Sequence, residues 1–254
     1  MSDRVWYIQK CELFEQLSPS DLEVLESRAR IKSFPRKAVV YLPQDAADSV
    51  YVVAEGRIRL VSITPDGKEA IHAIFEPGDL FGELAILGSE PREEYAEAVV
   101  GSKVVAIPKE SVDLVMSQNA KLSLAITKLI GWRRKKLERR LRNLLFRSNR
   151  ERLTGLLWEL TERYGRRTDE GLLIDIKLSH QDLAGLIGVT RESVTLALGE
   201  LQADGMISIG RQRIVILKVS QLAQAAGETT DAHTPSSERP SPVRRPQSDE
   251  VSIK

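Results

Sequence analysis

The stretch from Leu178 to Leu201, LSHQDLAGLIGVTRESVTLALGEL, constrains the fold more than any other part of the chain. Ser179, with Asp182 three residues on, marks a helix start, because a serine oxygen and an N3 carboxylate satisfy the orphan amides there. Gly188 stands where the chain must turn sharply, and Thr190 is placed to cap a second helix. Leu183, Leu186, Ile187, Val189, Val194, Leu198 and Leu201 fall at helical spacing and supply a shared apolar core. The pattern predicts two short helices joined by a tight turn, with Arg191, Glu192 and Thr195 facing outward at the start of the second. In a helix-turn-helix those positions meet base edges in the DNA major groove. The bland alternative is a helix hairpin inside an ordinary globular core.

Composition narrows the function classes. A chain of 254 residues has room for two modest domains. No run approaches the roughly 18 apolar residues of a membrane helix, and no signal-peptide pattern opens the chain, so the expected setting is the cytoplasm. The single cysteine, Cys11, excludes an intramolecular disulfide and cannot by itself hold an iron–sulfur cluster. His72, His180 and His233 share no ligand spacing, so no metal site is expected. There is no nucleophile motif, and the one pair of neighbouring acids in the strand-rich part that could be weighed for catalysis is Glu93-Glu94. The chain therefore reads as a non-enzyme with no catalytic residues. Its net charge is only +1, yet its basic residues are clustered, which suits nucleic-acid binding.

From residue 39 to about 105 the chain reads as short strands. Runs 39–42, 50–54, 58–63 and 70–75 are rich in β-branched and aromatic residues, and Pro43, Gly56, Pro65-Asp66-Gly67, Pro77-Gly78-Asp79 and Gly88 punctuate them. Asp66-Gly67 is a hairpin signal. A small barrel or sandwich is expected. Phe81-Gly82-Glu83-Leu84 interrupts the strand rhythm with about one helical turn, and a glycine there lets backbone amides approach an anion. Arg92 follows within reach; the alternative is that Gly82 makes only a bend and Arg92 pairs on the surface with Glu93 or Glu94.

A long helix is predicted over 110–146, where the only glycine is Gly131. Leu122, Ile126, Leu129 or Ile130, Leu137, Leu141 and Leu144 form a stripe suited to a partner helix in a two-fold dimer. Arg133 and Arg134 interrupt it and must reach water, Glu138 or an anionic ligand, because burying them unpaired costs several kcal/mol. Residues 149–164 read as a further helix and 171–178 as a strand. Residues 206–217 read as two strands about Gly210, a wing whose Arg211 and Arg213 are placed for phosphates. From 220 on, the polar, proline-rich composition reads as a disordered tail.

This order of parts, with Phe81-Gly-Glu-Leu84, Arg92 and Thr190-Arg-Glu-Ser-Val-Thr195, resembles the CRP/FNR family of bacterial transcription regulators over about residues 8 to 219. The resemblance implies an α+β chain. Its parts are a cyclic-nucleotide-binding-like β-roll (a double-stranded β-helix) over 1–118, a dimerisation helix over 119–147, a winged helix-turn-helix over 148–219 and a tail over 220–254. It implies a homodimer on palindromic double-stranded DNA, with RNA polymerase as a further partner and no membrane. By base-edge chemistry Arg191 would donate twice to guanine and Glu192 accept from cytosine, while Leu196 would touch a thymine methyl. Ser179 and His180 would sit near phosphates.

The pocket implied by the resemblance holds Phe81, Gly82, Glu83, Leu84 and Arg92. Cyclic-nucleotide binders in the family follow the phosphate arginine with a small hydroxyl residue, whereas here the run is Arg92-Glu93-Glu94-Tyr95-Ala96. Glu93 sets a carboxylate where a phosphate wants a donor, which argues against cyclic AMP. In Ile174-Asp-Ile-Lys-Leu-Ser-His-Gln181 and Met206-Ile-Ser-Ile209 the C-terminal half resembles the cyanobacterial global nitrogen regulators of the same family, and Arg92, Arg133 and Glu138 fall on their dicarboxylate-binding positions. That implies 2-oxoglutarate or another small anion as effector. The alternatives are a constitutive regulator without an effector, and a protein-interaction module using the basic helix and tail.

Overall fold

The computed structural model describes residues 3–64, 67, 69–88 and 90–227. In chain order the helices are α1 (Asp3–Gln9), α2 (Pro19–Arg28), α3 (Lys109–Gln118), α4 (Ala120–Phe146), α5 (Asn149–Tyr164), α6 (His180–Ile187), α7 (Arg191–Ala203) and α8 (Val219–Ala226). The strands are β1 (Arg30–Phe34), β2 (Val39–Tyr41), β3 (Ser49–Glu55), β4 (Ile58–Ile63), β5 (Glu69–Phe75), β6 (Leu80–Phe81), β7 (Tyr95–Ala98) and β8 (Ser102–Pro108), followed by β9 (Gly165–Thr168), β10 (Gly171–Ile174), β11 (Ile207–Gly210) and β12 (Arg213–Ile216). The described residues divide into two compact units, one within 1–149 and 178–195, the other within 150–177 and 196–227.

In the first unit two four-stranded antiparallel sheets, ordered β1-β8-β3-β6 and β2-β7-β4-β5, form the roll expected from the sequence. β3 and β8 explain why the strands read as continuous apolar runs. Val50, Val52 and Ala54 of β3, with Val105 and Ile107 of β8, pack outward against Phe14, Leu22, Leu25, Val112, Leu122 and Ile126. The alternate residues Tyr51, Val53, Val104 and Ala106 point into the roll, onto Tyr41, Phe75 and Phe81. A strand buried on both faces loses the polar–apolar alternation of a half-exposed one.

The helix predicted over 110–146 is two helices. The backbone breaks at Asn119, whose side chain accepts from the amides of Lys121 (3.1 Å) and Leu122 (3.2 Å) and donates to Asp21 (3.1 Å). Asparagine caps a helix by offering its carbonyl to the first amides, so a residue tolerable inside a periodic pattern acts here as a start. Three elements before residue 39, α1, α2 and β1, escape the strand-and-turn reading of 39–105. α2 starts on a capping box between Ser18 and Asp21.

In the second unit α5 stands with a four-stranded sheet ordered β11-β12-β10-β9. Gly171 is required at φ +145, since a Cβ would lie 2.3 Å from the Ile216 carbonyl oxygen. The wing turns at Arg211-Gln212, with Gln212 left-handed at φ 53, rather than at Gly210, which pairs with Arg213 at the end of the hairpin. The expected tail from 220 is corrected at its start: α8 occupies Val219–Ala226, burying Leu222, Ala223 and Ala226. The remainder of that tail, and His233, lie outside the described residues.

Candidate nucleic-acid interface and roll pocket

α6 opens on a reciprocal capping box. Ser179 Oγ accepts from the Asp182 amide (3.1 Å), and Asp182 Oδ2 accepts from the Ser179 amide (2.8 Å) and hydroxyl (2.6 Å). Gly188 ends the helix at φ +67, a conformation glycine adopts without steric cost. Two residues later Thr190 Oγ1 accepts from the Ser193 amide (3.2 Å) and starts α7. The result is the predicted helix, turn and helix, with Arg191, Glu192, Thr195 and Leu196 all exposed along the first turns of α7. Leu196 is 68% exposed, so its side chain is open to an apolar contact. The Thr195 hydroxyl donates to the Arg191 carbonyl (3.0 Å) and stands 2.9 Å from His180 Nδ1. At the wing, Arg211 is exposed and Arg213 pairs with Glu170 at 3.1 Å.

Inside the roll the aromatic side chains of Tyr41, Tyr51, Phe75 and Phe81 stack at centroid distances of 5.1 to 6.3 Å. Arg92 is 5% exposed, so it is not the surface partner of Glu93 or Glu94. Its guanidinium lies over the Tyr41 ring (4.5 Å) and the Tyr51 ring (5.6 Å). It donates to the carbonyls of Gly82 (3.0 Å) and Ser49. A Cβ on Gly82 would meet Arg92 Nη1 at 2.9 Å, and Gly82 sits at φ +70, so glycine is needed here on both counts. Arg92 Nε and the Tyr41 hydroxyl are buried without a hydrogen-bond partner.

Glu83, at the start of a 3-10 turn (Glu83–Ile86), is buried and ion-paired with Arg133 of α4. Arg133 also donates to the Leu80 carbonyl and lies 5.1 Å from the centre of the Phe75 ring. The structure thus brings Phe81, Gly82, Glu83, Arg92 and Arg133 together. Leu84 is 54% exposed and is not enclosed with them. Glu138 lies apart, paired with Arg134 along an exposed face of α4 (2.9 Å). Burial and the neighbouring Glu83 and Glu93 push the Glu94 carboxyl above the usual range.

Sequence reasoning missed the Glu83–Arg133 pair and the aromatic stack. The signal for the pair was present as an arginine inside an apolar seam, but nothing local names a partner fifty residues away. Among the described residues no cluster of His, Cys, Asp or Glu is set to hold a metal, and no helix is long and apolar enough to cross a membrane.

Residues 31–119 match the family described as cyclic nucleotide-binding domain, and residues 151–225 the Crp-like helix-turn-helix domain. The chain is 30% identical to the global nitrogen regulator of Nostoc sp. over 76% of its own length and 88% of that protein's. It is 31% identical to the anaerobic regulatory protein of Bacillus subtilis, covering 79% of this chain and 85% of that one. Among solved structures it is similar to a CRP-family transcriptional regulator of Thermus thermophilus, with a TM-score of 0.65, 25% identity, and coverage of 80% of this chain and 100% of that one. With its roll, long helix, helix-turn-helix and wing accounted for, the chain belongs to the CRP/FNR family of DNA-binding transcription regulators.

Proposed function

We propose that this regulator binds two-fold symmetric DNA sites as a homodimer, with residues 1–118 as sensor, 119–147 as dimerisation helix and 148–219 as DNA-binding part. The observation that carries the reading is the exposed Arg191-Glu192 pair at the start of α7, launched by Gly188 and Thr190. Arg191 would read guanine and Glu192 cytosine, with Leu196 against a thymine methyl. Ser179, His180, Thr190, Thr195, Arg211 and Arg213 would meet the backbone and flanking positions. Dimerisation is supported by Leu137, Leu141 and Leu144 of α4, all exposed in the single chain. RNA polymerase is the partner such a regulator would contact at promoters.

For the roll, two buried donors without partners, Arg92 Nε and the Tyr41 hydroxyl, favour a small acceptor-bearing anion. The four buried rings beside them pack on one another rather than lying open to a base. A 2-oxoglutarate-like carboxylate therefore fits this reading better than cyclic AMP. A second reading, a constitutive regulator, is favoured by the Glu83–Arg133 pair, which joins roll and α4 with no added group.

Fluorescence anisotropy on a pool of palindromic duplexes, alone and with 2-oxoglutarate or cyclic AMP, separates these readings. Tighter binding with the dicarboxylate supports the small-anion sensor. Equal tight binding in all conditions supports the constitutive regulator, and loss of sequence preference in every condition defeats the recognition assignment.

A further inference from the structure

α6, the first helix of the DNA-reading pair, does not stand free: it lies on the outer face of the β4–β5 hairpin. All the residues concerned belong to the first compact unit. The closest approach is at Gly185. A Cβ there would lie 3.0 Å from Ile71 Cγ1, 3.2 Å from its Cδ1 and 3.4 Å from the Glu69 carbonyl oxygen. Gly185 sits inside a helix, where glycine is the poorest ordinary former. Close approach of the helix to the Ile71 side chain of β5 accounts for its presence. The neighbouring Leu186 packs on a small buried cluster of Val61, Ile71 and Tyr95.

A polar clamp adjoins this apolar contact. Arg59 of β4 reaches Glu69 (3.1 Å), Glu97 (3.2 Å) and Asp182 of α6 (3.6 Å). Tyr95 donates to Glu69 (3.3 Å). One guanidinium therefore faces three carboxylates at the first turn of α6, leaving the cluster net negative.

We infer that the seating of α6 on β4–β5 is an autoinhibitory contact, which must open before the start of α6 can receive a DNA phosphate. The inference rests on the DNA-binding reading above. A phosphate approaching Ser179 and His180 in the seated helix meets the field of Glu69 and Glu97. The seated state thus offers repulsion where binding needs donors.

Two variants test this. Gly185→Leu puts a branched side chain where even a Cβ would already lie 3.0 Å from Ile71, while improving the helix itself. If the seated state holds about nine molecules in ten, releasing it raises apparent DNA affinity about tenfold. The expected result is tighter binding to a labelled duplex with far-UV circular dichroism unchanged; a folded variant that binds no tighter overturns the inference.

The second variant, Ile71→Cys with Gly185→Cys, reads the contact directly. Cys11 is buried, with its thiol pushed up to about 12, and does not compete for the disulfide. The cross-link should form in the free protein, form more slowly with saturating duplex, and abolish DNA binding until reduced. Failure to cross-link, or a cross-linked protein that binds as tightly as the reduced one, overturns the proposal. Cross-linking is read without DNA, so its success beside a wild-type chain that binds no duplex would show that the contact exists while the DNA-binding reading, and the inhibitory role with it, has failed.

Discussion

Arg133 of α4 brings its guanidinium to the carboxylate of Glu83 at the start of the 3-10 turn, tying the long helix to the roll from within. Both groups are largely withdrawn from water, and Arg133 completes its bonding on the Leu80 carbonyl. A buried pair of this kind is costly to break from one side only, because the remaining charge stays buried.

Arg133→Met should therefore lower stability by about 3–5 kcal/mol. Adding Glu83→Gln should recover a large part of that loss, because the stranded charge is removed with its partner. Urea denaturation of the two single variants and the double variant measures the coupling; additive losses would mean that the pair does not interact in solution.

Replacing Arg191 by alanine should weaken DNA binding by roughly 1–3 kcal/mol and relax one base position, since a bidentate contact to guanine is lost. Competition anisotropy with single-base operator variants reads both effects. Arg211→Ala should instead weaken all sequences alike and reduce the salt slope by about one unit.

Glu94 carries a pH dependence whose sign follows from its environment. Its folded-state affinity for a proton is raised by burial first, then by Glu83 and Glu93. Protonation stabilises the fold, so this contribution is full below the ordinary carboxylate pKa and is lost as pH rises through the raised one. Glu94→Gln should raise the Tm at neutral pH and give a smaller gain in acid. A gain independent of pH would point to packing instead.

Cys11 should be inert to Ellman's reagent at pH 8 until the protein unfolds, because burial holds its thiol up at about 12. The same shift costs stability at alkaline pH: its contribution is complete below the ordinary thiol range and disappears as pH approaches the raised value. Rapid labelling of the native protein would contradict this burial.

The helix-turn-helix was legible almost residue by residue, because its determinants are local. Ser179 and Asp182, Gly188 and Thr190 each act within a few positions of themselves. The strands of the roll were legible from their β-branched runs, and the turn after β6 from Gly82. What escaped depends on distance in the chain. Nothing around Arg92 in sequence says that it will lie over Tyr41 and bond to Gly82, and nothing around Arg59 says that it will meet Asp182. Glu138, one helical turn beyond Arg134, was expected with Arg92 and Arg133 on the strength of the resemblance. In the single chain its carboxylate is paired with Arg134 on an exposed helix face, a local i,i+4 contact.

β3 divides its side chains between two cores, the helical layer outside and the aromatic interior within. Most strands have a face on which a sequence can drift at little cost; this one has none between Val50 and Ala54. A change that suits one side must still suit the other, so neutral variation within this unit is displaced to its helices and hairpin tips. The regulator can thus acquire a new sensing or reading preference at its periphery without renegotiating the strand on which both cores close.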